Sequence, residues 1–205
     1  MQLFGVDARM LALTFVVATV VTGFELITTK YPRTPEFATK SRWFYAYILT
    51  YGALGAAGLV LLPFVGSEVT MTGVGLENPW VKALLVGFSV KAILHIRIFM
   101  VSTGPNQSFP VGLETFVQLF EPWMLTSLDL DHFFFQQAFI RPRAAKHADL
   151  AAAREAALSN IPQGFAAEVK TALRADINNC TTTQEVISAY LKYVGIRLTD
   201  STFPP

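Results

Sequence analysis

The sequence predicts an all-α membrane protein, with three transmembrane helices, an amphipathic interfacial segment and a small cytoplasmic helical domain. Three observations carry that prediction. Of 205 residues, 52% are hydrophobic and only 15% charged, whereas a soluble domain carries about 25% charged residues. Mean hydropathy is +0.42. Three apolar runs each reach the roughly 20 residues a helix needs to cross hydrocarbon, and the chain turns polar only near its end.

The same numbers exclude some classes of function. A net charge of +1 creates no field that would gather nucleic acid, and the basic residues do not alternate with aromatics as in single-strand binders. The one cysteine, Cys180, rules out an internal disulfide and any cysteine-cluster metal site. No Walker loop, dinucleotide fingerprint, H-E-x-x-H or G-x-S-x-G is present. No cofactor is expected.

Residues 1–104 read as a transmembrane domain. The first span covers about 10–28, "MLALTFVVATVVTGFELIT", and the second about 43–65, "WFYAYILTYGALGAAGLVLLPFV". The third covers about 80–102 and contains "GFSVKAILHIRIFM". Lys30, Arg33, Lys40 and Arg42 lie between the first two spans, and no Lys or Arg lies between the second and third. Short basic loops stay on the cytoplasmic side. An inner or plasma membrane location is therefore expected, with the N-terminus outside and the C-terminus cytoplasmic. Trp43, Tyr45, Tyr47 and Trp80 fall where interfacial aromatics belong.

Gly52, Gly55, Ala56 and Gly58 make a small-residue face on the second span. Such faces let helix backbones approach closely in lipid, either within one chain or between subunits. The third span carries Lys91, His95 and Arg97. Lys91 lies about 16 Å along it, near the bilayer midplane, where a lysine costs on the order of 3 kcal/mol. His95 is one turn on and shares its face. Both residues imply an aqueous path, or neighbouring subunits that supply counter-charge. Glu25 in the first span matches Arg97 in depth, so the two are candidate partners.

Residues 105–141 read as an amphipathic interfacial segment. Pro105 and Pro110 stop the preceding helix. Glu114, Gln118 and Glu121 recur on one helical face, with Phe116, Leu119, Phe120 and Trp123 largely on the other. Pro122 should break that helix. A fourth span here would carry Arg141, Arg143 and Lys146 outside, against the charge rule. "DLDHFFF" holds Asp129, Asp131 and His132, a candidate metal or active site, although no second cluster supports them.

Residues 142–205 read as a cytoplasmic helical domain. "RAAKHADLAAAREAALSN" favours helix. Pro162 suits a first helical position. Thr182 with Glu185 spells a capping box, and Gly195 suits a C-terminal cap. The tail "STFPP" should be irregular. So short a bundle buries little by itself and calls for help from a partner.

The expected function is that of a non-enzymatic membrane subunit that oligomerises, in its sharper form a channel-like or membrane-perturbing assembly with a sensing domain. Its expected partners are membrane lipids and either further copies or other membrane subunits, with no nucleic acid. Two alternatives are an accessory subunit of a larger hetero-oligomeric complex and a membrane enzyme built on the inner-surface carboxylates and His132.

Overall fold

A computed structural model describes residues 2–3, 6–61, 78–90, 97–104 and 107–205; for 2–3, 97–104 and 107–116 the description is of the backbone. The protein is predominantly helical. It divides into two compact units, Met1–Thr29 with Ser41–Leu128, and Lys30–Lys40 with Asp129–Pro205.

In the first unit, a short hairpin of β1 (Gln2–Leu3) and β2 (Val6–Asp7) leads into α1 (Ala8–Lys30). After the connecting segment comes α3 (Arg42–Leu61). At 23 and 20 residues both are long and apolar enough to cross a bilayer, about 34 Å and about 30 Å. They pack through the small-residue face of α3. A Cβ at Gly52 would collide with Thr19 Oγ1 and lie 3.0 Å from the Phe15 ring, and one at Gly55 would lie 2.9 Å from Ala18 Cβ. This contact is possible because glycine lacks that atom.

α4 (Pro79–Phe88) starts where Asn78 accepts a bond from the Trp80 N–H at 3.0 Å and proline takes the first helical position. It packs on the N-terminal part of α1 and the C-terminal part of α3. Ala83 and Val86 form a small core with Leu59 and Met10. Thr14 Oγ1 donates to both Met10 O and Ala83 O, at 3.0 and 3.1 Å.

The third apolar run is not one helix over 80–102. Its described parts are α4, which stops at Phe88, and β3 (Arg97–Gly104). β3 pairs antiparallel with β4 (Gln107–Gly112), with Met100 opposite Pro110 and Ser102 opposite Ser108. Ile98, Phe99, Val101 and Thr103 favour extended backbone, and Pro110 is tolerated because a two-stranded ribbon consists only of edges.

α5 (Leu113–Lys146) runs unbroken through Pro122 and Pro142, where the sequence predicts a stop at the first. Trp123, beside Pro122, packs edge-on against Trp43 at 4.5 Å, and Glu121 on its other side is held by tyrosines of α3. Anchors flanking a missing backbone bond keep the helix continuous. Of the polar edge of α5, Glu121 turns inward and Gln118 is exposed. Glu121 is half-buried, while Leu119, Phe120 and Trp123 are exposed.

The second unit gathers α2 (Pro35–Ala38), α5 from Asp129 onward, α6 (Leu150–Ser159), α7 (Ala167–Asn179), α8 (Thr183–Val194) and α9 (Ile196–Thr202). Its core holds Ile140, Leu173, Ile177, Tyr190 and Phe203, all fully buried. Phe37, from the segment between α1 and α3, joins that core. Part of the help that so small a bundle needs therefore comes from its own chain.

Asp149 caps α6 by accepting from the Ala151 N–H. The Thr182–Glu185 capping box is formed in full. Gly195 adopts φ 82°, and a Cβ there would meet the Arg33 carbonyl oxygen at 2.8 Å, so both conformation and space require glycine. Two expectations fail. Pro162 does not start a helix, because the Phe165 N–H bonds Pro162 O in a turn and α7 begins at Ala167. The tail is helical to Thr202, because burying Phe203 against Tyr190 and His147 recovers apolar surface that an irregular tail would leave in water.

Candidate functional site

Two polar clusters stand out, one in each unit. In the second unit, the "DLDH" stretch of α5 puts Asp129 and His132 on one face, as their spacing predicts. The segment after α1 meets them there. Lys30 Nζ donates to Asp129 Oδ2 at 2.8 Å and the Tyr31 hydroxyl donates to Asp129 Oδ1. His132 Nε2 shares a hydrogen bond of 2.8 Å with Thr34 Oγ1. The imidazole stacks on Tyr31 at 4.7 Å and meets Phe37 edge-on at 5.8 Å.

Burial sets the electrostatics. It pushes the His132 pKa below the ordinary histidine value, with Lys30 adding to that and Asp129 opposing it, so the ring is neutral at pH 7. Burial, then the hydrogen bond and charge of Asp129, push Tyr31 far above the usual tyrosine range, so the phenol keeps its proton as donor. A carboxylate held by an ammonium and a phenol, beside an imidazole held by a threonine and two aromatic rings, is built to fasten two segments together. Among the described residues no group of three or more His, Cys, Asp and Glu could hold a metal ion. Asp131 sits half-buried beside this cluster in sequence.

In the first unit, Glu121 Oε1 accepts from the hydroxyls of Tyr47 at 2.7 Å and Tyr51 at 2.9 Å. These tyrosines are four residues apart on one face of α3, and their rings are 4.9 Å apart. Glu25, half-buried on α1, is close enough to act electrostatically on Tyr51. Glu121 also lines a cavity of about 220 Å³ together with Tyr51, Leu54, Val117, Phe120 and Met124.

The remaining candidates are spread through the first unit. Gly52, Gly55 and Gly58 are buried and Ala56 is half-buried, with Gly52 and Gly55 turned to α1. Lys91 and His95 lie outside the described residues, and Arg97 is described only as backbone in β3. The pairing of Glu25 with Arg97 therefore lies outside the description too. Sequence reasoning missed Tyr31 and Thr34 as partners of Asp129 and His132, and Tyr47 and Tyr51 as partners of Glu121. The signal for the second pair was present, since two phenols one turn apart in an apolar helix need an acceptor.

No family model, no characterised protein and no solved structure matches this chain.

Proposed function

We propose that this chain is a non-enzymatic integral membrane subunit that oligomerises, held in the bilayer by α1, α3 and the first half of α5, with the second unit cytoplasmic. The observation that carries it is the pair α1 and α3. Both have spanning length, both turn large apolar side chains such as Val20, Phe24 and Leu49 outward, and where they meet, Gly52 and Gly55 of α3 lie against Thr19 and Ala18 of α1. That sorting suits hydrocarbon outside and helix contacts inside.

The third crossing falls to α5 rather than to the run at 80–102. Contacts with α3 set its direction. Trp123 meets Trp43 near the start of α3, whereas Val117 and Phe120 share a cavity with Leu54, further along. α5 thus runs antiparallel to α3. Asp129 pairs with Lys30, the last residue of α1. From Leu113 to Asp129 is about 24 Å of helix, most of a hydrocarbon core of about 30 Å. This path takes Arg141, Arg143 and Lys146 to the same side as Lys30. The charge rule is satisfied with α5 as the third crossing. Glu121 is tolerable at that depth because two phenols meet it.

Oligomerisation is supported by the cationic Lys91 with the ionisable His95 one turn on and by the position of Val90. A Cβ at Gly55 would lie 3.5 Å from Val90 Cγ2, so Val90 is level with a residue about 20 Å along α3 from Arg42. The Gly/Ala face lends no support to subunit contact, since Gly52 and Gly55 are used against α1.

Mass measurement of the purified particle in mild detergent, paired with dye leakage from liposomes, tests this reading. Discrete multimers and leakage that Lys91→Leu abolishes are expected. A monodisperse monomer that leaves liposomes intact at high occupancy would overturn it. For topology, Cys180→Ser chains carrying a single new cysteine are labelled from outside intact cells. Ser67→Cys should react and Arg33→Cys should not, and labelling at position 33 would overturn the orientation.

A further inference from the structure

The outward face of α5 carries one stripe along its length. Leu119, Trp123, Leu130, Phe134 and Arg141 follow one another at steps of four and seven residues, which keeps them on one side of a helix, and all five are exposed. Phe133 is exposed beside them. The stripe therefore does not stop at Asp129, and its later part belongs to the second unit.

The polar side chains at that level are engaged elsewhere. Asp129 and His132 fall on the opposite side of the helix and are bonded to Lys30, Tyr31 and Thr34. Asp131 is the only acid from Leu130 to Lys146, and it is half-buried at the edge of the stripe. Arg143 is buried against Asp200, and Lys146 donates to Pro205 O. Arg141 makes no ion pair or hydrogen bond among the described residues. Leucine and phenylalanine followed by a free arginine complement acyl chains followed by phosphate.

Lengths agree with that complement. From Leu113 to Phe134 is about 32 Å of helix, against a hydrocarbon core of about 30 Å. Arg141 lies about 10 Å further on, and its long side chain reaches back to the phosphates. A second copy of the chain fits the face less well. From Leu130 to Phe134 there is no small residue of the kind that lets helices approach closely in lipid.

We infer that the Leu130–Arg141 face of the second unit docks on the anionic inner leaflet, with Leu130, Phe133 and Phe134 among acyl chains and Arg141 on a lipid phosphate. The inference rests on α5 as the third crossing and extends it: lipid contact continues past Asp129, and the partner is an anionic phospholipid.

The test uses the full chain with Cys180→Ser in nanodiscs of phosphatidylcholine and phosphatidylglycerol. Phe120→Cys, Phe134→Cys and Arg174→Cys each carry one nitroxide, and its collisions with oxygen and with a water-soluble nickel chelate are compared. Arg174 is exposed on α7 and reports water. The oxygen-to-nickel ratio at 134 should match that at 120 and exceed that at 174 at least threefold. A water-like ratio at 134 with a lipid-like ratio at 120 would overturn the inference and leave the crossing intact. A water-like ratio at 120 would overturn the crossing and the inference with it. Low access of both reagents to 134 would mean that protein, such as a second copy, covers the face, and would overturn the inference too. Should Phe134→Cys fail to fold, Leu130→Cys reads the same face. In the unlabelled chain, Arg141→Gln should lower the preference for spin-labelled phosphatidylglycerol over phosphatidylcholine at least twofold, and an unchanged preference would overturn the phosphate contact.

Discussion

Phe24, in the first unit, is 70% exposed, whereas Phe203, in the second, is fully buried. The contrast holds beyond these two residues. Around Phe24 the buried residues of α1 are Thr14, Ala18, Thr22, Gly23 and Leu26, while Val16, Val20 and Phe24 itself point out. Around Phe203 the interior is made of Tyr190, Leu191 and Ile187, and the outer faces of α7 and α8 carry the charges. The second unit follows the rule for water, in which burying apolar area is the main driving force. In the first, α1 departs from that rule by turning Val16, Val20 and Phe24 outward, an arrangement suited to surroundings as apolar as leucine. There, close backbone approach and internal hydrogen bonds hold helices together. One chain thus holds two folding regimes.

Substitutions should separate the regimes. The largest effect is expected from Gly52→Leu. With Thr19 and Phe15 already where a Cβ would go, the added side chain should cost about 3 kcal/mol or more, seen as lost trypsin resistance in detergent. If the variant melts like wild type, α1 and α3 do not pack this way. Ile177→Ala should cost about 3 kcal/mol, from a cavity in the core of the second unit, and should leave the Gly52-dependent resistance of the first unit intact. Thr182→Ala removes half of the capping box and should cost about 1 kcal/mol in the same melt.

A pH titration gives a smaller and more specific effect. His132 titrates below the ordinary histidine value because of burial. The unfolded chain therefore takes up a proton first as pH falls. The second unit should be most stable above about pH 6.5 and should weaken as pH drops below it, and His132→Gln should flatten that decline. Glu185 sits below the usual carboxylate range because the Thr181 backbone N–H, the Thr181 hydroxyl and the Thr182 backbone N–H bond it. Its contribution is present above the ordinary glutamate value and fades as pH falls beneath it, in a separate, more acidic window. An unchanged melting temperature between pH 7 and 5 would show that His132 is not buried in solution. The smallest effect is expected at Phe24→Ala. It should change stability in lipid by no more than about 0.5 kcal/mol, and a loss of several would mean that something covers that face.

Local signals were readable in the sequence where one element decides them. The two helices of membrane-spanning length follow from composition and length, the capping box from Thr182 and Glu185, and the cap at Gly195 from glycine alone. The shared face of Asp129 and His132 follows from helical spacing. Distant partners were not readable. Pro122 looks like a break until Glu121 and Trp123 are seen to be anchored on α3. "STFPP" looks like a loose end until Phe203 is found in the core. The run at 80–102 has the hydropathy of a helix, and the pairing of β3 with β4 overrides it from Arg97 onward.

By itself, the sequence determined that this chain carries two membrane-length helices and a polar helical region. Length, hydropathy and caps act within one segment and leave a periodic record. Only the tertiary structure decided that the segment after α1 clamps onto Asp129 and His132, that Tyr47 and Tyr51 converge on Glu121, and that the glycines of α3 serve α1. Those outcomes depend on which residues meet across many intervening positions, and the free energy of a hydrogen bond or close contact belongs to the pair and appears in neither residue's local pattern.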